Sequence, residues 1–501
     1  MTDIHTLTLD RLLDGWLRAE SIAIRGLCHD SRRLEPGALF LALSGQNAHG
    51  LRHAAQAIRQ GCAAIVYDPA GGGEELARTV SGTPCFALPG LGEKLGFIAD
   101  RFYGEPSRNL QTIAVTGTNG KTSCTHFLAH ALSAHRPAAV IGTLGWGEPD
   151  RLHPTTHTTP DAIEIHGSLA WLRGRGYGAV AMEASSHGLA QGRLNGVRFR
   201  GALFTNFSRD HLDYHGTMES YLEAKLNLAT WPGLEFVAFN ADDLIAEPLS
   251  ERIPKSVRRI GYGERDVSGQ RVTEQDFLAW SQAFHRDCGV AFRAEFNANQ
   301  AEVSAQVYGD FNVENLAGSL AVLLGLGWEL PEAARALGRV RPVPGRMESH
   351  SANGKTVVID YAHTPDALAN VLAGLRKHCR GHLWTVFGCG GDRDRGKRPQ
   401  MGVIAETLAD GVVLTDDNPR SEDGDAILDN ILSGCERPES IVRIRDRRDA
   451  IAWSLEHAEV GDVVLVAGKG HETTQEILGV KYPFSDRRVV RELLSLPLEP
   501  A

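Results

Sequence analysis

The chain has 501 residues, of which 42% are hydrophobic and 23% are charged, and this ordinary globular composition excludes disordered, collagen-like and coiled-coil proteins. Asp and Glu number 62 against 52 Lys and Arg, and the resulting net charge of −10 argues against a nucleic-acid partner. The eight cysteines include no C-x-x-C pair, so neither a disulfide framework nor a zinc ribbon is indicated. No apolar run approaches the ~18 residues of a membrane span, and the first 20 residues lack the apolar stretch of a signal peptide. We therefore expect a cytoplasmic protein without a membrane span.

The length predicts about three domains, since domains average roughly 150 residues. We place them at residues 1–107, 108–341 and 342–501. Short apolar runs alternate with helical stretches, which is typical of α/β folds: an N-terminal α/β domain, a central parallel sheet and a C-terminal doubly wound, Rossmann-like domain. Residues 256–308 interrupt the central domain with alternating, strand-like segments. The predicted strands lie at 38–43, 63–67, 113–115, 138–141, 179–182, 202–204, 236–239, 290–296, 301–307, 356–359, 383–387, 411–414 and 462–466.

A glycine-containing loop follows the first strand of the central domain and precedes a helix. Its backbone N–H groups and the positive end of the helix favour phosphate binding, with Lys121 at the β- and γ-phosphates of ATP and Thr122 at Mg²⁺. The loop is two residues shorter than the usual phosphate loop, so the alternative is a glycine turn with a chance lysine. The predicted phosphate-binding residues are Gly117, Thr118, Asn119, Gly120, Lys121, Thr122 and Ser123.

Lys225 lies on a helix predicted over 218–229, and its neighbours three and four residues away are not acidic. One interpretation is a lysine whose amine reaches solvent from an apolar face. The other is a desolvated lysine with a lowered pKa; its neutral amine could combine with CO₂, releasing a proton, to form a carbamate that binds Mg²⁺. Glu183, at a strand end, is a further candidate metal ligand; the alternative is a cap or one half of an ion pair. His211 with His215 has zinc-like spacing but no specified third ligand.

These residues stand in motifs that resemble the Mur ligase family over nearly the whole chain. The matching runs are T-G-T-N-G-K-T (116–122), M-E-A-S-S-H (182–187), T-N-F-S-R-D-H-L-D (205–213), E-A-K (223–225), F-N-V-E-N (311–315), G-R (345–346), D-Y-A-H-T-P (360–365), G-C-G-G-D-R-D-R-G-K-R-P (388–399) and G-K-G-H-E (468–472). The last two runs are most similar to the family members that add the third amino acid of the peptidoglycan peptide. The resemblance implies that ATP activates the D-glutamate carboxylate of UDP-N-acetylmuramoyl-L-alanyl-D-glutamate as an acyl phosphate, which an amino acid then attacks.

The resemblance also implies roles for single residues. Lys121, Lys225, Glu183, His211 and His363 are expected to be catalytic, and Lys225, carbamylated, is expected to share Mg²⁺ binding with Thr122, Glu183 and His211. Further ATP contacts are expected from Asn312, Asn315, Arg346 and Asp360. The UDP-muramoyl-dipeptide is expected to contact His29, Ser31, Gln46, Asn47, Ala48, Thr158, Thr159, Ser185, Gln191 and Arg193. The turn at 48–50 lacks the acidic residue expected before its glycine.

The run D-N-P-R at 417–420 indicates which amino acid is added. The planar guanidinium of arginine can donate two parallel hydrogen bonds to one carboxylate. Unlike lysine, meso-diaminopimelate has a distal carboxylate that could accept them. Arg420 is therefore predicted to select diaminopimelate, unless it is a turn residue paired with Asp417. The resemblance implies further contacts with diaminopimelate from Arg393, Asp417, Asn418, Pro419, Gly468 and Glu472. Arg393 could equally belong to a solvated run.

Other functions compete with this prediction. A lysine-adding Mur ligase or a folylpolyglutamate-synthetase-like ligase would share the ATP chemistry, but Arg420 and the elaborate N-terminal domain argue against both. A phosphate-loop kinase or switch would leave the polar loops of the last domain without a use. The expected partners are the UDP-muramoyl-dipeptide and meso-diaminopimelate, and the expected state is a monomer.

Overall fold

The computed structural model describes residues 7–45, 48–265, 276–286 and 289–497. The chain forms two compact units, the first from residues 1–262, 272–277 and 321–328 and the second from 263–271, 278–320 and 329–501. No helix in the described ranges is long and apolar enough to cross a membrane. The predicted division into three domains stays a prediction.

The first unit alternates strands and helices along the chain. Its strands are β1 (Leu7–Thr8), β2 (Ala23–Ile24), β3 (Gly26–Cys28), β4 (Ala38–Ala42), β5 (Ala64–Tyr67), β6 (Cys85–Ala87), β7 (Gln111–Thr116), β8 (Ala138–Gly142), β9 (Gly145–Glu148), β10 (Arg151–His153), β11 (Ala179–Glu183), β12 (Gly201–Phe204), β13 (Phe236–Asn240) and β14 (Arg258–Glu264). Its α-helices are α1 (Leu9–Leu12), α2 (Ala54–Arg59), α3 (Gly73–Ala77), α4 (Leu91–Phe102), α5 (Lys121–Leu132), α6 (Ala162–Gly174), α7 (Ser186–Ala190), α8 (Leu212–His215), α9 (Met218–Leu226) and α10 (Ala246–Arg252). Short 3₁₀ helices lie at Ser31–Arg33, Gly50–His53, Pro106–Asn109 and Asn227–Thr230.

Two main sheets organise the first unit. Strands β3 to β6 form a parallel sheet in chain order. The part of the larger sheet that lies in this unit has the order β10-β9-β8-β11-β7-β12-β13-β14, parallel from β8 to β14 and antiparallel at the β8-β9-β10 edge. Strands such as β11 and β13 are buried throughout, because helices cover both faces of a parallel sheet. The carboxyl ends of β8, β11, β7 and β12 therefore lie side by side, and ligands of open α/β sheets bind at this edge.

The second unit begins with an antiparallel meander and continues as an α/β layer structure. Its strands are β15 (Asp276–Arg286), β16 (Gly289–Phe296), β17 (Asn299–Ala305), β18 (Glu348–Ala352), β19 (Lys355–Asp360), β20 (Leu383–Phe387), β21 (Gly411–Leu414), β22 (Val442–Arg443), β23 (Val463–Ala467), β24 (Thr474–Ile477) and β25 (Val480–Pro483). Its helices are α11 (Asp310–Gly325), which ends in the first unit, α12 (Leu330–Leu337), α13 (Pro365–Arg376), α14 (Lys397–Leu408), α15 (Gly424–Leu432), α16 (Arg447–His457) and α17 (Asp486–Leu493), with a 3₁₀ helix at Pro438–Ser440.

The main sheet of the second unit has the order β18-β19-β23-β20-β21-β22, parallel except for β18. Because side chains alternate along a strand, Val358 packs in the cluster that contains α13, α14 and α15, whereas Val357 packs with α16 and α17. Helices thus cover both faces, which confirms the doubly wound α/β prediction. The strand-like interruption predicted in 256–308 is confirmed by β14 to β17.

Candidate active site

The loop between β7 and α5 is held in place by the segment that follows β12. Asn206 accepts hydrogen bonds from the backbone N–H groups of Thr118 at 2.9 Å and Asn119 at 2.8 Å. Gly117 has a φ of 148°, and a Cβ at this position would overlap the Thr205 hydroxyl, so glycine is required. The loop opens onto the N-terminus of α5, whose backbone dipoles attract anions. This strand–loop–helix geometry supports the phosphate-loop prediction over a chance turn.

Two lysines converge on the loop carbonyl of Gly117. Lys121 donates to it at 2.9 Å and to the Thr118 carbonyl at 2.8 Å, while Lys225 donates to it at 2.7 Å. Lys225 is only 1% exposed, and its amine lies 4.6 Å from the centre of the Tyr221 ring. Burial, reinforced by the charge of Lys121, holds the pKa of Lys225 well below its ordinary value. The amine therefore does not reach solvent, and the desolvated interpretation holds.

Glu183 ends β11 as an oriented, buried carboxylate. Its Oε1 accepts from the Thr122 hydroxyl at 3.0 Å and from the Thr143 backbone N–H at 2.8 Å, and its Oε2 accepts from the Thr143 hydroxyl at 3.1 Å. The Thr143 hydroxyl also lies 3.1 Å from the Thr158 hydroxyl, from which it can accept. Glu183 is thus hydrogen-bonded to the first turn of α5, the helix that follows the phosphate loop. Thr143 was not predicted, because no motif contains it.

His211 immediately precedes α8, as its N-cap residue, in a left-handed conformation with a φ of 53°. Its ring centre lies 4.8 Å from that of His187 and 6.1 Å from that of Tyr221. Burial lowers the pKa of His211. The charges of Lys121 and Lys225 add to this effect, and that of Asp210 opposes it, so a neutral imidazole able to bind a metal is favoured. His215 instead contacts the Ser186 hydroxyl at 3.0 Å.

The donor set favours Mg²⁺ over zinc. In the ranges that the structure describes, no group of three or more His, Cys, Asp or Glu side chains could hold a metal. Mg²⁺ commonly takes only one or two carboxylates and completes its shell with phosphates and water. One buried carboxylate, Glu183, bonded to the Thr122 hydroxyl beside a phosphate loop fits that requirement.

Most of the residues predicted to contact the muramoyl-peptide lie close together in space, at the carboxyl end of β11. Thr159 donates to the Glu183 carbonyl at 2.7 Å and accepts from the Ser185 N–H at 3.0 Å. Arg193 donates to the Thr159 carbonyl at 2.7 Å and, at 2.6 Å, to Gln191. The structure therefore brings these residues to the end of the strand that carries the buried carboxylate.

The predicted uridine-end residues are more scattered. Ser31 donates to Gln56 at 2.9 Å, and His29 forms an ion pair with Asp161 at 3.3 Å. Ala48 is exposed, while Gln46 and Asn47 lie outside the described residues. The buried His49 accepts from the Leu51 N–H through Nδ1 and contacts the Asp68 carbonyl through Nε2 at 2.8 Å. A histidine with this structural role stands in the turn where an acidic residue was expected.

In the second unit, the predicted nucleotide residues form two groups. Asn312 and Asn315 are buried on α11 and bond to each other at 3.0 Å. The Arg346 guanidinium lies 4.4 Å from the centre of the Tyr361 ring. Asp360 accepts from the backbone N–H groups of Met347 and Ala362, both at 2.8 Å, and burial raises its pKa.

His363 lies in the turn after β19. Its Nδ1 contacts the Tyr361 carbonyl at 2.8 Å, and the Lys397 amine donates to the His363 backbone carbonyl at 2.7 Å. Burial lowers the pKa of His363, and the nearby charge of Lys397 adds to this effect. The imidazole is therefore favoured in its neutral form, whose single N–H, on Nδ1, donates to the Tyr361 carbonyl and leaves Nε2 as an acceptor.

Arg420 is held by a β-hairpin rather than by Asp417. Its backbone is left-handed, with a φ of 51°, and its N–H donates to the Glu476 carbonyl at 3.0 Å. Its guanidinium donates to the Gly391 carbonyl at 2.8 Å and lies 3.6 Å from the Glu476 carboxylate. The turn-residue alternative in which Arg420 pairs with Asp417 is therefore wrong. Arg393 is exposed.

The other predicted amino-acid contacts form one polar cluster after β21 and β23. Asn418 donates to Asp417 at 3.0 Å and to Glu472 at 2.9 Å. A Cβ on Gly468, whose φ is 112°, would press against the Asp417 carboxylate. Gly391 donates through its N–H to the Asn418 carbonyl, and a Cβ there would overlap the Pro419 carbonyl.

Comparisons with known proteins agree with this geometry. A model of the Mur ligase middle domain matches residues 115–323, one of the Mur ligase glutamate ligase domain matches 345–470, and one of the Mur ligase family catalytic domain matches 23–85. The UDP-N-acetylmuramoyl-L-alanyl-D-glutamate–2,6-diaminopimelate ligase of Alkalilimnicola ehrlichii is 45% identical, over 97% of this chain and 99% of its own. The chain belongs to the Mur ligase family.

Further similarities extend over the same length. The ligase of the same name from Ralstonia nicotianae is 46% identical over 96% of this chain and 95% of its own. A solved structure of a UDP-N-acetylmuramoyl-L-alanyl-D-glutamate–2,6-diaminopimelate ligase is 34% identical with a TM-score of 0.72, covering 98% of this chain and 99% of that one. A MurF structure from Acinetobacter baumannii, 16% identical with a TM-score of 0.67 and coverages of 98% and 99%, shows the shared fold alone.

Proposed function

We propose that this Mur ligase is an ATP-dependent enzyme that adds meso-diaminopimelate to the D-glutamate side chain of UDP-N-acetylmuramoyl-L-alanyl-D-glutamate in peptidoglycan synthesis. The observation that best supports activation of the carboxylate by ATP is the buried Lys225, which is hydrogen-bonded to the phosphate loop. The substrates are proposed from the names of the relatives that match over nearly their full length. We further propose that the protein acts as a cytoplasmic monomer.

The reaction needs two displacements. A carboxylate oxygen of D-glutamate attacks the γ-phosphorus of ATP, and ADP leaves. The amine of diaminopimelate then attacks the acyl carbon, inorganic phosphate leaves and the amine loses a proton. Both reactants of the first step are anionic and repel each other. The fixed positive charge of Lys121 and the backbone N–H dipoles of the loop must offset this repulsion.

Mg²⁺ would be held by Thr122, Glu183, His211 and a carbamate of Lys225, and it supplies charge neutralisation at the phosphates. The pKa of Lys225, lowered by burial, supports carbamate formation, because only the neutral amine combines with CO₂. The product carbamate is anionic and is therefore attracted to the neighbouring Lys121 ammonium.

In the second unit, Asn312 and Asn315 are proposed to bind adenine, with Arg346 and Asp360 at the ribose and phosphates and His363 at the γ-phosphate. Arg420 is proposed to bind the distal carboxylate of diaminopimelate, since its fork suits a carboxylate. Glu472 is proposed to accept from the distal ammonium.

The test measures phosphate release with all combinations of ATP, the UDP-muramoyl-dipeptide and an amino acid. Release is expected only when all three are present, with meso-diaminopimelate far above L-lysine. Phosphate release without an amino acid would contradict a ligase, and equal turnover of L-lysine would contradict the specificity.

A further inference from the structure

Lys469 is a fully buried lysine that no predicted role includes. It is 0% exposed, and its amine donates to Asn418 Oδ1 at 3.1 Å and to Glu472 Oε2 at 2.8 Å. A buried ammonium is strongly destabilising unless it is paired and hydrogen-bonded. Its two partners are both among the residues proposed to bind diaminopimelate.

The backbone around Lys469 is shaped to turn the side chain inward. The flanking Gly468 and Gly470 have φ values of 112° and 51°. A Cβ on Gly470 would lie 2.8 Å from the Gly345 carbonyl, which is too close for another residue. The two glycines thus allow the chain to leave β23 in a conformation that other residues rarely adopt.

Lys469 also helps to fix which way the Asn418 amide points. Asn418 Oδ1 accepts from Lys469 and, at 2.9 Å, from the Glu476 backbone N–H, and both of these groups can only donate. The amide nitrogen must therefore face the acceptors, Asp417 Oδ1 and Glu472 Oε2. Without the lysine, one of the two contacts that fix this orientation is lost.

We propose that Lys469 is a positioning residue for the amino-acid substrate: it orients Asn418 and Glu472, and its ammonium balances the Glu472 carboxylate. This inference rests on the proposed function. Of the two carboxylate oxygens of Glu472, only Oε2 accepts hydrogen bonds from the described residues. Oε1 is therefore left for the distal ammonium of diaminopimelate.

Electrostatics supports this role. Burial acts to raise the pKa of Glu472, but the charge of Lys469 and hydrogen bonds from Lys469 and Asn418 outweigh it, and the pKa lies below its ordinary value. Replacing Lys469 removes the largest effect that opposes burial, so Glu472 is expected to protonate at a higher pH than in the wild type. The other titratable or charged groups that act on Glu472 or respond to it are His471, Tyr361, Asp417 and Arg447.

The experiment compares Lys469→Met with the wild-type protein. The KM for meso-diaminopimelate is expected to rise roughly tenfold, the size of one lost charge-assisted hydrogen bond, while the KM for ATP stays the same. Relative to wild type, the KM of the variant should increase further as the pH falls, because Glu472 protonates at a higher pH in the variant than in the wild type. Adding Glu472→Gln should abolish this pH dependence, and Lys481→Met, at an exposed lysine, should change nothing.

A thermal unfolding scan first checks that each variant folds, and Lys469→Gln, which keeps a donor but no charge, replaces Lys469→Met if that variant does not. A diaminopimelate KM that is unchanged or independent of pH, or an equal loss for ATP, would overturn the role of Lys469. Absence of wild-type turnover with meso-diaminopimelate would instead overturn the proposed function.

Discussion

Lys225 and Lys121 donate to the same backbone carbonyl, that of Gly117, at 2.7 and 2.9 Å. Two ammonium groups this close repel each other, and the Lys225 amine is also removed from water. The lower pKa of Lys225 follows first from burial and then from this repulsion. The helix pattern predicted an apolar environment for Lys225, but its contact with the phosphate loop depends on the packing of α9 against a loop 108 residues away in sequence.

Replacement of this buried amine tests the carbamate. Lys225→Ala should lower ligase activity by at least about 100-fold, because a preorganised charge in the site is removed, and short carboxylates such as acetate should partly restore it. In wild-type protein exposed to ¹³C-labelled bicarbonate, a carbamate resonance should appear by NMR and be absent from the variant. Lys255→Ala, at an exposed lysine, is the control. A wild-type spectrum without the resonance would contradict carbamylation.

Thr143 is expected to support metal binding through Glu183. Thr143→Val keeps the shape and the backbone N–H bond but removes the hydroxyl that donates to Oε2 at 3.1 Å. The Mg²⁺ concentration for half-maximal ATP binding, measured by calorimetry, should rise by about tenfold, as for other residues that orient a ligand. Thr143→Ser retains the hydroxyl and should behave like the wild type. Equal behaviour of the valine and serine variants would exclude this supporting role.

The contrast between Glu183 and Thr143 shows what sequence reasoning can reach. Glu183 was a candidate because a polar residue directly after an apolar strand run lies at the ligand-binding edge of a parallel sheet. Thr143 lies in an ordinary Gly-Thr-Leu-Gly turn, and its role arises only because β8 and β11 are neighbours in the sheet. The strands and the doubly wound pattern were predictable from local apolar runs, whereas partners brought together by strand order were not.

The same limit applies in the second unit. Glycines around Lys469 were visible in the sequence, but a lysine is normally assigned to the surface. Its burial depends on pairing with the nearby Glu472 and with Asn418, which lies 51 residues away in sequence. Arg420 was open to pairing with Asp417, its sequence neighbour. The observed partner, Glu476, lies on a hairpin that no pattern linked to the D-N-P-R run.

Arg420→Lys should reduce the preference for meso-diaminopimelate over L-lysine. Lysine cannot form the two-pronged contact with a carboxylate, and a lost charge-assisted hydrogen bond is worth about 1.5–3 kcal/mol, roughly 10- to 100-fold in kcat/KM. The KM for ATP should not change. Arg437→Lys, at an exposed arginine, is the matched control. A parallel loss for ATP would indicate that the hairpin contact is structural rather than selective.

Arg447 and Asp486 form a fully buried ion pair that joins the starts of α16 and α17, with Nε–Oδ1 at 2.7 Å. Arg447 also donates to the Ala467 carbonyl at the end of β23. Arg447→Met should lower the free energy of unfolding by about 3–5 kcal/mol, because the remaining carboxylate is buried without its partner. The neighbouring Arg448→Met breaks an exposed pair and should cost under about 1 kcal/mol in the same urea titration. Similar losses in both variants would contradict the special role of the buried pair.

His29 and Asp161 link the N-terminal sheet region to the first turn of α6, whose N–H groups Asp161 caps. The hydrogen bond to Asp161 raises the pKa of His29, while the pKa of Asp161 is lowered by His29 in spite of burial. A raised histidine pKa adds stability below its unfolded value of about 6.5, and this is lost as pH rises through the folded pKa. A lowered Asp pKa adds stability that is lost as pH falls through its folded pKa, so the pair stabilises the fold between the two folded values.

The variant His29→Gln should therefore be less stable than the wild type at about pH 5.5 and almost equal to it at about pH 9. Both side chains are about one-third exposed, so solvent screening limits the difference to about 0.2–1 kcal/mol. Urea unfolding at the two pH values measures it, and His53→Gln, at an exposed histidine, is the control. The nearby charges of Asp30 and Arg33 act on His29 in opposite directions and are present in both proteins. A stability difference that is the same at both pH values would mean that His29 contributes through packing and not through its charge.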